Sequence, residues 1–369
     1  MSERWDPARA NAWYDAQPWL VGCNYVPSNA ISPLEMWGPD TFDPEANDRE
    51  LGLAASLGLN TVRVFLHDLL WRDDARGFKA RIDRFLGIAH GHGIRPMFVL
   101  FDDCWHEPEI GVPDPVPGLH GSGWVRSPGA KALRDKDQWG RLEDYAAGVA
   151  QAFGRDERVL MWDVYNELRN EYLPLLSRPQ PLRRLSMIAT YLRQQVQPRR
   201  GDELCRLAFG WVRAADPIQP LTAAIYHPWD DLNALLTGLS DIVSFHDYEG
   251  PGHVREQIRT LREAHGRPVL CTEWLSRAEG STVQTILPLF EEERVGCYHW
   301  GLVDGKTQTK FGWQNRPTRQ GPAPEPELWF HDLLRADGSP YREEEAALFR
   351  KLTSQARASV ATADPVQVS

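Results

Sequence analysis

The chain lacks most of the features by which a sequence declares a membrane, secreted or metal-binding protein. No apolar stretch approaches the roughly 20 residues that a bilayer-crossing helix needs. The opening MSERWDPARANAWYDAQPWL has no apolar core of the kind a signal peptide carries. A cytoplasmic protein without a membrane partner is expected. The five cysteines are odd in number and widely spaced, with no CxxC pair, which excludes an obvious disulfide framework or zinc site. Nor is there an HExxH-type ligand spacing, so neither a metal nor a cofactor is expected. Basic residues are in the minority, 41 against 51 acidic, and the net charge of −10 has the wrong sign for a protein that grips nucleic acid through its phosphates.

What is abundant is tryptophan, with fifteen in 369 residues. Flat, rigid indoles serve as bulky core, and they also stack on sugar faces and aromatic ligands. The apolar runs are short and numerous. Eight of them, at 20–26, 60–66, 95–101, 159–167, 221–226, 241–245, 268–274 and 295–300, read as strands. Several are continuous rather than alternating, as parallel strands buried on both faces require. Helical stretches separate them, near 44–57, 78–92, 138–153, 231–239, 254–265 and 282–292, with one or two more inside 181–215, broken around 198–201, and a last one near 341–352. Asp43 followed by Pro44 is a side-chain cap with proline at the first helical position.

Eight strand–helix alternations over this length point to a single (β/α)8 TIM barrel. A doubly wound open sheet is the alternative, but no glycine-rich phosphate loop follows the first strand. One catalytic domain is expected over residues 1–355, followed by a small, polar, frayed tail at 356–369. Two long Gly/Pro-rich loops, 106–136 after strand three and 301–317 after strand eight, are expected to carry function.

Polar and aromatic residues gather at the outgoing strand ends, where a TIM barrel keeps its active site. They are Asn24, Asp102, Asp103, Trp105, Asn166, Glu167, His227, His246, Tyr248, Glu273 and Trp300, with Arg63 one step inside strand two. A strand end is also simply where polarity resumes, so His227 and Asp103 alone carry little weight. Cys104 is either a reactive thiol or a small packing residue. Two strand-end glutamates, Glu167 and Glu273, are the pair that glycoside hydrolysis uses, one as a proton donor and one as a carboxylate at the anomeric carbon. Arg63 and Tyr248 suit an ionised Glu273, Asn166 suits a sugar 2-hydroxyl, and Trp300 suits the floor beneath the reacting ring. Trp124, Trp313 and Phe311 on the long loops are either sugar-stacking residues or loop anchors.

These residues resemble glycoside hydrolase clan A, and within it family 5, the cellulase and mannanase group. Asn166-Glu167 matches the clan's Asn-Glu at the end of strand four, and Glu273 in CTEW matches the glutamate of strand seven. Arg63, the His246-x-Tyr248 pair, Trp300 and Asn24 match the family's residues on strands two, six, eight and one. The resemblance implies Glu167 as acid/base, Glu273 as nucleophile, and retention at the anomeric carbon. Two departures stand out: Leu168 and Arg169 follow Asn-Glu where proline is common, and DDCWH stands where many members carry a histidine. The expected partner is a β-linked oligosaccharide or small glycoside, cut from one end if the long loops close the cleft. A catalytically silent sugar-binding barrel and a transglycosidase using the same residues are the other readings.

Overall fold

The computed structural model describes residues 3–170, 199–317 and 321–363. Eight strands alternate with helices as the apolar runs predict: β1 (Val21–Asn24), β2 (Thr61–Phe65), β3 (Arg95–Asp102), β4 (Met161–Asn166), β5 (Leu221–Thr222), β6 (Val243–His246), β7 (Val269–Trp274) and β8 (Gly296–Trp300). All pair in parallel, in the order β5-β4-β3-β2-β1-β8-β7-β6. The cylinder closes between β5 and β6 by a single bridge, Ile225 to Phe245. There the Ile225 N–H donates to the Ser244 carbonyl at 3.0 Å and the His246 N–H to the Ile225 carbonyl at 3.0 Å. The run at 221–226 therefore contributes a two-residue ladder and one bridge, less than its apolar length implies. Strands approach so closely at Gly22 that a Cβ there would lie 2.4 Å from the Thr61 carbonyl oxygen.

Nearly every strand residue is buried, because the inner face fills the barrel and the outer face packs against helices. The helix Pro44–Ser56 begins at its expected cap, with Asp43 accepting from the Glu45 and Ala46 N–H groups. The same signal, Asp6 before Pro7, opens an N-terminal helix, Pro7–Asp15, that the sequence reading left out. Trp5 and Ala10 from this segment pack with Met97, Leu160, Met161, Ile242 and Leu270, sealing the barrel at the end where its strands begin.

The helix expected at 78–92 starts ten residues earlier, spanning Asp68–Gly91 with a break at Asp74, whose carboxylate accepts the Gly77 N–H at 2.8 Å and so caps the second segment. Of the helical stretches expected within 181–215, Arg200–Ala214 is present, and the remainder lies outside the described residues. The last helix spans Glu343–Ala363, well past its expected end at 352 and into the stretch expected to be frayed. Alanine is the strongest helix former, and no glycine or proline interrupts the sequence before Pro365. The segment after β8 runs on to Glu343, longer than the expected 301–317 loop, and carries a second aromatic stretch, Trp329-Phe330-His331.

Candidate active site

Arg63 lies inside β2 with no exposed surface, and the polar centre is built around it. One terminal nitrogen donates to Asn24 Oδ1 at 2.7 Å and to Glu273 Oε1 at 3.0 Å. The other reaches Asp163 Oδ2 at 2.8 Å and Asn166 Oδ1 at 2.6 Å, and Nε donates to the same Asp163 oxygen at 3.0 Å. Burial opposes the guanidinium charge, but Asp163 and then Glu273 outweigh it and hold the pKa above its ordinary value. A fixed cation thus stands beneath the outgoing ends of β1, β4 and β7.

Glu273 projects above this cation. Its second oxygen, Oε2, accepts the Tyr248 hydroxyl at 2.7 Å. Burial and the charge of Glu273 push the Tyr248 phenol well above its ordinary range, so it stays an O–H donor. Glu167 stands one residue past β4 with a positive φ of 45°, a conformation that costs a non-glycine residue on the order of 1 kcal/mol and is concentrated at functional sites. His246 Nδ1 lies 3.0 Å from Glu167 Oε1 and 3.5 Å from Glu273 Oε2. Its Nε2 is buried without a partner among the described residues, which favours the proton on Nδ1, facing both carboxylates. Glu167 Oε2 accepts from the Cys104 thiol at 3.1 Å and from the Asn170 amide. Burial alone would raise the proton affinity of Glu167. The hydrogen bond and charge of His246, followed by the Cys104 contact, outweigh burial and hold its pKa below the usual carboxylate value.

One ligand atom each of Glu167, His246 and Glu273 lies within 4.8 Å of the others. A cation could in principle use such a trio. Arg63 and Tyr248 already occupy the two oxygens of Glu273, however, so a dication would compete with one of these donors and sit beside a fixed positive charge.

The site opens into a cavity of about 830 Å³, within the range of small-molecule sites. Asn166, Glu167, His246, Tyr248, Glu273, Trp105 and Trp300 from the strand ends line it, as do Trp124 and Trp313 from the long loops. Asn24, Arg63 and Asp102 do not, and instead support residues that do. Asn24 donates to the Thr272 carbonyl at 2.9 Å while holding Arg63. Asp102 accepts from Asn166 Nδ2 at 2.8 Å, Trp124 Nε1 at 2.7 Å and the Cys104 N–H at 3.0 Å. Burial raises the Asp102 pKa to about 6 despite these donors. Asp103 is likewise a buried partner, bound to Arg126, Tyr165 and the Arg169 N–H.

Of the three loop aromatics, Trp124 and Phe311 are buried. Trp124 is an anchor: it is 3% exposed, bonded to Asp102, and edge-on to Phe65 and Trp300. Phe311 is buried, and its carbonyl accepts from His120. Trp300 stacks on Phe65, with ring centroids 6.1 Å apart, and lines the cavity. Trp313 meets Tyr248 edge-on at 4.9 Å. Trp105, at φ 68°, stacks on His120 at 5.5 Å.

The two long loops hold one another. Gly121 N–H donates to the Thr307 carbonyl at 2.9 Å, Gly118 N–H to Gln308 Oε1 at 2.8 Å, Gln308 Nε2 to the Val116 carbonyl at 2.8 Å, and His120 Nδ1 contacts the Phe311 carbonyl at 2.8 Å. Together they contribute aromatic rings and two imidazoles, His120 and His331, to the cavity lining. Burial lowers the pKa of both, His120 to about 4, so neither is charged near neutral pH.

Several contributors were not identified from the sequence. Asp163 was visible as a lone carboxylate inside an apolar run, and pairing it with the lone Arg63 inside another run would have located the buried ion pair. Asn170 and His331 gave no signal beyond their residue type. Burial, then Asp102 and Glu167, push the Cys104 thiol well above its ordinary pKa, which favours the packing alternative over a reactive thiol.

No protein-family model and no curated protein matches the chain in sequence. Solved structures do match in fold. An exo-beta-1,4-mannosidase from Opitutaceae bacterium strain TAV5 aligns at 21% identity with a TM-score of 0.58, over 91% of this chain and 60% of that one. The GH5_18 protein of Streptomyces cattleya in complex with GlcNAc aligns at 16% identity with a TM-score of 0.59, over 92% and 80%. An endo-beta-1,4-mannanase from Thermotoga petrophila aligns at 14% identity with a TM-score of 0.55, over 96% and 80%. At these identities the likeness establishes the shared barrel.

Proposed function

We propose that the protein is a retaining β-glycoside hydrolase of the clan A, family 5 type, acting on a β-linked oligosaccharide or small glycoside. The observation that carries the reading is the approach of Glu167 and Glu273 within 4.8 Å at the base of a sugar-sized cavity. Retaining enzymes space their carboxyl groups about 5 to 5.5 Å apart, and inverting ones leave room for a water at roughly 6.5 Å or more. The exo-beta-1,4-mannosidase and the endo-beta-1,4-mannanase of similar fold belong to the same reaction class.

Glu273 is the nucleophile. Arg63 and Tyr248 fix both its oxygens, so it meets the anomeric carbon in one orientation. Glu167 is the acid/base. Its donors favour the anion in the absence of substrate, yet the first step needs its proton. A bound sugar that excludes water, with the charge of Glu273 close by, raises its proton affinity for that step. Esterification of Glu273 then removes the neighbouring charge, so Glu167 gives up the proton and activates water as a base. Asn166 holds its amide between Arg63 and Asp102, leaving Oδ1 to share with a sugar hydroxyl.

The hydrogen bonds between the two long loops support attack from a chain end, the expectation if these loops close the cleft. A panel of aryl β-glycosides, with the anomer of the first-formed product read by NMR, tests the reading. Hydrolysis with a β-configured first product supports it, and an α product overturns retention. Cleavage of dyed polymers alone would overturn exo-action. Binding of an oligosaccharide without release of reducing ends would identify the silent barrel instead.

A further inference from the structure

We infer that Cys104 is a positioning residue for Glu167, its thiol serving as a weak, releasable donor that aims the carboxyl group. The inference rests on the acid/base role of Glu167 proposed above. Cys104 lies two residues past β3, lines the cavity and is 6% exposed. Its sulfur lies 3.1 Å from Glu167 Oε2, and it accepts the Asn166 amide at 3.4 Å and the Asn170 amide at 3.6 Å. The thiol therefore ties the acid/base to Asn166, and through Asn166 to Asp102 and Arg63.

Its chemistry suits the task. Burial keeps it protonated, so it donates rather than competes as a second anion. A thiol is a weaker donor than a hydroxyl, so it orients the carboxyl group without strongly favouring the ionised form, and it yields readily when the proton arrives. The other groups facing Glu167 are less easily changed. His246 approaches from β6, and Glu273 from β7 lies within 4.8 Å. Tyr226 donates to the Glu167 carbonyl at 3.4 Å, and His227 is close enough to act on its charge. Asn170 shares Oε2, and Arg63 and Tyr248 act one step away through Glu273.

The test is the pH profile of kcat/KM for an aryl β-glycoside with a poor leaving group, whose alkaline limb reports loss of the Glu167 proton. Cys104→Ala removes a donor to the ionised form, so the proton is kept to higher pH and the limb moves up by roughly half a pH unit. Cys104→Ser supplies a stronger donor and moves the limb down. With a highly activated leaving group neither limb moves, because the first step then needs no acid. A purely structural role would scale the whole profile and leave its limbs in place, which overturns the inference. If the alanine chain does not fold, the serine chain decides alone, and an unmoved limb overturns the proposal. Glu167→Ala separates the two levels. If that chain shows neither leaving-group dependence nor azide rescue, the acid/base reading itself fails. If it shows both while the Cys104 limbs stay fixed, only this inference fails.

Discussion

Glu273 is the last but one residue of β7, whereas Glu167 stands one position beyond the end of β4, in a left-handed backbone conformation. The Glu273 side chain is 5% exposed and both its oxygens are bound, one by the buried Arg63 guanidinium inside β2 and one by the Tyr248 phenol just past β6. The Glu167 side chain is 13% exposed and is held by an imidazole, an amide and a thiol, two of them from turns rather than strands. The difference matches the tasks proposed for them. A nucleophile gains from being fixed, because misplacement of an attacking atom is costly. A group that gives and takes a proton needs neighbours that can release it.

Four measurements would break or sharpen this contrast. Glu273→Ala should abolish turnover on every substrate, a loss on the order of 10⁴-fold or more, measured by release of aryl alcohol. If activity survives, the rigidly held carboxylate is not the nucleophile. Glu167→Ala should cost about 10²- to 10⁴-fold on poor leaving groups and far less on activated ones, with external azide restoring turnover and giving a β-glycosyl azide. An α-azide would exchange the two roles.

Asp163→Asn removes part of the anchor behind Glu273. It should cost about 3 kcal/mol by urea unfolding and lower kcat in parallel, since the two Arg63 bonds to Asp163 Oδ2 then lose the anion that balances the buried guanidinium. A stable variant of unchanged kcat would show that the ion pair does not position the site.

The smallest effect lies behind Glu167. Asp102, with its pKa raised to about 6 by burial, binds protons in the folded state that the unfolded chain has already released between about pH 4 and pH 6. Its contribution to stability is therefore present below that window and falls as pH rises through it. Asp102→Asn should remove a pH-dependent part of the unfolding free energy of about 1 to 3 kcal/mol, with urea midpoints at pH 4.5 and 7.5 as the measurement. An unchanged slope would place the titration elsewhere.

The barrel was legible because strands buried on both faces leave continuous apolar runs, and because a cap such as Asp43-Pro44 is a local signal. β5 was overestimated because Ala223 and Ala224 are as apolar as a strand residue but pair with no neighbouring ladder. The helix Pro7–Asp15 was missed although Asp6-Pro7 repeats the Asp43-Pro44 signal, because the aromatic residues around it obscured its periodicity. The lining of the cavity at strand ends followed from the fold. What lies beneath it did not: whether Arg63 meets Asp163 depends on strand register around the cylinder, which the apolar pattern leaves open. The contacts of Cys104 and Asn170 depend on the turn after β4, whose backbone strain has no residue signature. His120 and His331 meet only because two loops distant in sequence are joined.

That joining has a consequence for engineering. The loops after β3 and β8 share a backbone hydrogen bond between Gly121 and Thr307, and the Gln308 side-chain amide pairs with the backbone of Gly118 and Val116, so each completes the other's polar groups. Transplanting either one alone into a different barrel would carry over a rim of dangling amides and carbonyls. The pair is the smallest portable unit of this part of the cavity lining.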